Sequence, residues 1–272
     1  MSEDYTLKFD LSSYAVLDNF AYLADQNYNL GSEGDWFNHF RGGLHGLYAR
    51  VLGVQIHYQE VHSWRLVASS AILTQITEYH LSSILFNMDS AIECMVFTLN
   101  ALGYAVDLTK FKDVTNEKEL REISPENILG KRSDCTKGII LGYDIYFPSL
   151  KSYWHEHRDL IYKITEQHDV SKHRTAILGG GRHRIDPPPG LFEMLGIEDK
   201  TEQIVVSPWM EITLVSQPKT PWRKREPQEY KNIDKLEDVA ERFRTFINTS
   251  GVKALEDANS RIKLNHYELI KQ

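Results

Sequence analysis

Five of the eleven histidines of this 272-residue chain fall between His155 and His183. They lie in a strongly polar stretch: Trp154-His155-Glu156-His157-Arg158-Asp159, then His168-Asp169-Val170-Ser171-Lys172-His173-Arg174, with a triple glycine at 179–181 and Arg182-His183-Arg184 behind it. An imidazole exchanges its proton near neutral pH, and a guanidinium holds phosphate or carboxylate through two parallel hydrogen bonds. Such a set suits phosphate-directed chemistry. Metal-independent RNA cleavage needs a base for the 2′-hydroxyl, an acid for the leaving oxygen and a cation for the charge built up on phosphorus. Arg158 is the candidate phosphate-holding group, Asp159 the group that orients a partner, and His168 or His173 the acid or base. Lys172, Arg174, Arg182 and Arg184 are candidate binding cations, and Gly179–Gly181 could present backbone N–H groups to an anion.

Spacing prunes the metal chemistry. His155 and His157 point about 200° apart on a helix, and His157 and His168 lie about 16 Å apart along one, so neither pair chelates an ion. The i, i+4 pairing of H-E-x-x-H is absent from His155-Glu156-His157. A turn after His168 could bring His168, Asp169 and His173 together, but no metal ligand and no cofactor is assigned. Each group also has an ordinary structural reading. His157 sits on an apolar stripe and can be a core histidine bonded to a carbonyl or a facing carboxylate. Arg158 and Asp159 can be a solvated face with local ion pairs. His168-Asp169 with Lys172, His173 and Arg174 can be cations gathered at a helix C-terminus, where the helix dipole favours them. The triple glycine, which does not join a strand to a helix as a phosphate loop would, can be a flexible loop.

The elements that must position these groups are mostly helical. Residues 13–26 and 34–52 read as helices. Ser63 is a plausible N-cap for a long third one, in which Leu66, Leu73, Ile76, Ile84, Met88, Ala91, Met95, Leu99 and Leu102 recur at helical spacing up to Gly103. A break near His80–Ser83 is an alternative. Residues 107–137 are polar and poor in period, with one short helix expected at 116–123. A second long helix is expected from Tyr146 to His168, with Pro148 in its first turn. Residues 175–178 and 203–215 read as strands, separated by Gly179–Gly181 and Pro187–Pro189. Helices return at 234–248 and 252–266. The expected fold is mainly α: a single domain built on two long antiparallel helices, with a helical core at 61–174, a small β-containing insertion at 175–218 and C-terminal helices at 232–268.

A net charge of −7 argues against nucleic-acid binding by total charge, although a local basic patch can still hold a phosphate. Cys94 and Cys135 are too few for a cysteine-based zinc site, and a buried free thiol at Cys94 fits a reducing, cytoplasmic compartment. The most apolar window, Ala91–Val106, carries Glu93 and Asn100 and is too short to span a bilayer. The start of the chain lacks a basic, then apolar, secretory pattern. No membrane partner is expected.

The long helix 65–103, the polar excursion and the helix 146–168 with Arg158-Asp159 and His168 resemble the HEPN superfamily, helical-bundle proteins of prokaryotic defence and toxin systems. The resemblance covers about 110 residues. Active HEPN ribonucleases carry an arginine, a polar neighbour and then a histidine after four to six intervening positions, and they act as dimers with the motifs facing. Arg158 and Asp159 match the opening, whereas nine residues separate Arg158 from His168. The resemblance implies RNA as a partner and a homodimer, with or without ribonuclease activity. Two other readings stand beside it. His168-Asp169 is similar to the central pair of HD-domain phosphohydrolases, for which His80 and Asp186 or Asp199 would complete a metal-dependent site. A non-enzymatic interaction module is suggested by Pro221-Trp222-Arg223-Lys224-Arg225, since Trp and Arg concentrate at interface hot spots.

Overall fold

Helix α2 (Trp36–Arg65) turns a stripe of Trp36, Phe40, Leu44, Leu47, Val51, Val54, Tyr58 and Val61 inward, every member buried, at alternating spacings of three and four. The facing helix is α3 (Ala71–Val106), with Leu81, Ile84, Leu85, Met88, Ala91, Ile92, Met95, Leu99 and Leu102 buried against it and its neighbours. This computed structural model describes residues 6–28, 35–65, 71–130, 138–173, 182–184, 204–206, 213–215 and 233–262.

Three glycines set how closely α2 and α3 approach. A Cβ built at Gly43 would lie 2.4 Å from Thr98 Oγ1 and 2.9 Å from a Phe97 ring carbon; one at Gly46 would lie 2.8 Å from Cys94 Sγ, and one at Gly53 2.5 Å from Asn87 Oδ1. As the α2 number rises the α3 number falls in step, so the two helices run antiparallel. At these points α3 side chains lie against the α2 backbone, closer than a residue with a Cβ would allow.

This pair differs from the expected one, a continuous helix 65–103 packed on a continuous helix 146–168. Ser63 does not cap a new helix. It lies inside α2, where its hydroxyl donates to the Gln59 carbonyl. The helix 146–168 is instead three pieces: α6 (Gly142–Tyr146), α7 (Pro148–Glu156) and α8 (Arg158–His173). Pro148 cannot donate a backbone hydrogen bond, which favours a fresh start there. His157 leaves helical geometry, at φ −102° and ψ 14°, and ends α7. The first turn of α7 is held by the buried Asp257 carboxylate, which accepts from the Leu150 N–H at 2.9 Å. Ser82 and Ser83, read as a possible break, bond back to Glu78 and to the Tyr79 carbonyl within an unbroken α3.

The remaining helices complete a mainly helical chain. Helix α1 (Ser12–Tyr28) buries Tyr14, Leu17, Ala21 and Ala24. The polar excursion carries α4 (Glu117–Leu120), capped by the Asn116 side chain, and α5 (Pro125–Leu129), capped by Ser124 and ended by Gly130 at φ 81°. At the C-terminal end one helix, α9 (Leu236–Arg261), stands where two were expected. Ser250-Gly251, the expected break, is a packing site: Ser250 Oγ accepts from Trp154 Nε1 at 3.0 Å, and Gly251 lets the Tyr14 ring lie against the helix. Two antiparallel pairs of three-residue strands, Arg182–Arg184 with Ile204–Val206 and Thr213–Val215 with Ile233–Lys235, fall between α8 and α9. The rest of the expected insertion, the triple glycine and Pro221–Arg225 lie outside the described residues. Among the described residues no helix is long and apolar enough to cross a membrane.

Adjacent glycines of α2 should respond oppositely to alanine. Gly42 has nothing within 4 Å of a built Cβ, so Gly42→Ala should stabilise the chain by about 0.5–1 kcal/mol through lower unfolded-state entropy. Gly43→Ala should destabilise it by about 1–3 kcal/mol, because the methyl has no room. Urea denaturation of the two variants checks both signs; a stabilised Gly43→Ala would show that α2 and α3 do not approach this closely.

Candidate functional site

Two short pairs of side chains, each spaced i, i+3, meet across the contact of α3 and α8. Phe86 and Asp89 stand on α3; Thr165 and His168 stand on α8. Asp89 Oδ1 accepts from the Thr165 hydroxyl at 2.7 Å, and Asp89 Oδ2 accepts from His168 Nδ1 at 2.8 Å. Both partners are nearly closed to solvent, Asp89 8% exposed and His168 9%. A carboxylate taken that far out of water needs both oxygens satisfied, and here a hydroxyl and an imidazole do it. The hydrogen bond also fixes the ring: Nδ1 is turned to Asp89, and the imidazole cannot rotate without breaking the bond.

A second layer covers this pair. The Phe86 ring meets the His168 ring edge to face, with centroids 5.5 Å apart. Phe86 is 41% exposed, and the Arg50 guanidinium of α2 sits 4.8 Å over its face. Three helices thus bring a cation, an aromatic face and an oriented imidazole together. The α2–α3 spacing sets the first two, and the α3–α8 contact sets the third.

The sequence-derived candidates distribute differently. Arg158 opens α8, ten residues before His168 and about 15 Å away along a continuous helix, so the two do not converge in one protomer. Its guanidinium donates to the Gly130 carbonyl at 3.4 Å and lies 5.4 Å over the Tyr162 ring, whose hydroxyl donates to the same carbonyl. Arg158 therefore ties α8 to the end of α5. Asp159 and Asp169 are exposed on α8. Lys172 and His173 are described as helical backbone only, Arg182 and Arg184 as strand backbone only, and Arg174 lies outside the described residues. His157 bonds the Tyr153 carbonyl through Nδ1 at 3.0 Å and packs against Tyr153 and Phe246. His155 is held below the ordinary imidazole value by burial and by the nearby charges of Lys151 and Arg158.

Arg50, Phe86, Asp89 and Thr165 were not singled out by sequence. For Asp89 a signal exists: it is a carboxylate between Met88 and Ala91 on an apolar stripe, where a charge without a partner is costly. Arg50, Phe86 and Thr165 carry no local signal, because only the packing of three helices makes them neighbours.

His80 meets His57 rather than His168. The two Nδ1 atoms are 2.9 Å apart across α2 and α3, and His80 lies nine residues before Asp89 on α3, about 13 Å along its axis. Asp186 and Asp199 lie outside the described residues. Among the described residues no three His, Cys, Asp or Glu side chains are gathered so that they could hold a metal ion together.

Both His57 and His80 are held below the ordinary imidazole value of 6.5, chiefly by burial; the charge of His80 adds to this at His57, and Glu60 opposes it at both. The sign follows. The unfolded chain binds more protons than the folded one between the depressed values and about 6.5, so stability rises with pH through that window and levels off above it. The melting temperature should therefore be lower at pH 5.5 than at pH 7.5, and His57→Gln should narrow that gap. An unchanged gap in the variant would place the proton uptake elsewhere. No protein-family model, curated protein or solved structure matches the chain.

Proposed function

We propose that the chain is a HEPN-like, RNA-directed protein of the cytoplasm, a helical bundle with a small β element before its C-terminal helix, acting as a homodimer. The observation that carries this reading is the Asp89–His168 hydrogen bond beside the Arg50–Phe86 pair. A guanidinium can hold a phosphate, an exposed phenyl ring can stack a base, and an oriented imidazole can move a proton or donate to a phosphate oxygen. Single-stranded RNA offers all three targets within one nucleotide, because its bases are free to splay.

Arg50 takes the phosphate-holding role beside His168, since Arg158 lies about 15 Å from His168 along α8 and donates to the Gly130 carbonyl. A lone histidine supplies either the base or the acid of a transesterification, not both. In a dimer with these faces opposed, the partner's copy of the same group would supply the other, as the HEPN resemblance implies. The acidic balance of the chain keeps non-specific electrostatic attraction small, so binding should rest on few phosphates and depend only shallowly on salt.

The test is RNA binding by fluorescence anisotropy together with cleavage of a mixed RNA pool in EDTA. Phe86→Ala should weaken binding by about 1–3 kcal/mol, the range for one stacked base. Arg50→Ala should weaken it and flatten the salt dependence by about one ion. His168→Asn, whose amide can still donate to Asp89, should lower cleavage by about 10²–10⁴-fold while the fold is kept. Arg158→Ala should leave RNA binding unchanged. Binding without cleavage would leave His168 as a contact rather than an acid or base. Absence of RNA binding by the folded wild type would overturn the reading.

A further inference from the structure

We propose that His57 and His80 form a binding site for one borderline divalent cation, of the Zn²⁺, Ni²⁺ or Cu²⁺ class, with the charge of the nearby Glu60 drawing the ion in. The site is separate from the Asp89–His168 face and stands or falls independently of any action on RNA.

The geometry carries it. His57 comes from α2 and His80 from α3, and the antiparallel pairing points their Nδ1 atoms at one another, 2.9 Å apart. Two imidazoles bound to one ion through bonds of about 2.0–2.1 Å have nitrogens about 3.3 Å apart in a tetrahedral site and about 2.9 Å apart at adjacent corners of a square or octahedral one. The rings therefore need to move by only a few tenths of an ångström. Glu60 lies one helical turn after His57, on the same side of α2, and its charge is felt by both rings. Water would complete the shell around the two imidazoles. Tyr79 meets both rings edge to face, at 6.0 Å from His57 and 5.2 Å from His80, and screens one side of the pair.

The proton balance is simple. In the hydrogen-bonded pair one ring carries its proton on Nδ1 and donates it, while the other accepts at Nδ1 and carries its own on Nε2. Metal binding through both Nδ1 atoms requires both protons on Nε2, so one proton moves between nitrogens of a single ring and none is lost above the titration range. Burial at both rings, and the charge of His80 at His57, already favour the neutral rings that a cation needs. Imidazole nitrogens favour borderline transition metals over Mg²⁺ or Ca²⁺, which want oxygen ligands.

Titration of the full chain with Zn²⁺ and Ni²⁺ by calorimetry at pH 7.5 should show one equivalent bound and a raised melting temperature. His57→Gln and His80→Gln should each lower the affinity by at least about tenfold, and Glu60→Gln by less. Mg²⁺ should not compete. A second readout uses the wild type alone: in ¹⁵N-histidine NMR, one ring should switch to the Nε2–H form while the Nδ1 signals of two rings shift together. No bound ion at saturating Zn²⁺, or an undiminished equivalent in the folded His57→Gln and His80→Gln variants, would overturn the site; so would ring nitrogens of the wild type that stay unchanged.

Discussion

The close approach of α2 to α3 is the constraint on which both candidate sites depend. Gly43, Gly46 and Gly53 let the helices come together until Thr98, Cys94 and Asn87 fill the space a Cβ would need. Arg50 lies between the second and third of these contacts and reaches Phe86; His57 lies one turn beyond the third and reaches His80. A wider crossing would separate both pairs, since a hydrogen bond between rings weakens steeply beyond about 3.2 Å. Glycine within a helix is locally unfavourable by roughly 0.5–1 kcal/mol relative to alanine, so three of them on one face are explained by the contact they permit.

Two buried aspartates show how differently one residue type can be used. Asp257, 3% exposed, accepts the Leu150 N–H and serves the backbone, restarting a helix after Pro148. Asp89, 8% exposed, accepts from two side chains and serves the orientation of an imidazole. Removing a backbone cap loosens a helix end, an effect of about 1 kcal/mol. Removing the imidazole from Asp89 strands a buried charge, which is destabilising by several kcal/mol. The His168–Asp89 pair is thus a structural commitment as well as a chemical arrangement, and an amide at position 168 is the substitution that separates the two roles.

Much of the helical architecture was legible in sequence because it follows from apolar spacing alone; the start of α1 and the C-terminal end of α3 fall close to where the pattern puts them. The breaks were misplaced for one recurring reason. Ser63, Ser82-Ser83 and Ser250-Gly251 look like helix ends, yet each sits inside a helix with its polar group bonded to a preceding carbonyl or glutamate, or to a side chain of a packed neighbour. His157 carried no break signal and is where a helix does end. The candidate site was half legible: His168 stands out in a histidine-rich run, whereas its partner Asp89 lies 79 residues earlier on another helix. Arg158, conspicuous beside Asp159, proved to face Gly130 because its position at the start of α8 turns it toward the end of α5.

The ends of the helices bring the histidines of both sites into one region of the bundle. The contacts of Thr165 and His168 with Asp89 and Phe86 make α8 run antiparallel to α3, so the C-terminal end of α8 advances toward the end of α3 that bears His80. His62, near the C-terminal end of α2, stands 3.9 Å from Glu237 in the first turn of α9. The end of α2, the start of α3, the end of α8 and the start of α9 therefore share one end of the molecule. Helix α8 ends there at His173 and α9 begins there at Leu236. Lys172 and His173 belong to that end of α8, within about 8 Å of His168 along the helix. The described end of the polar stretch, residues 169–173, thus follows directly on the groups that packing assembles, which links a run of titratable residues to a site that none of its own spacings could have formed.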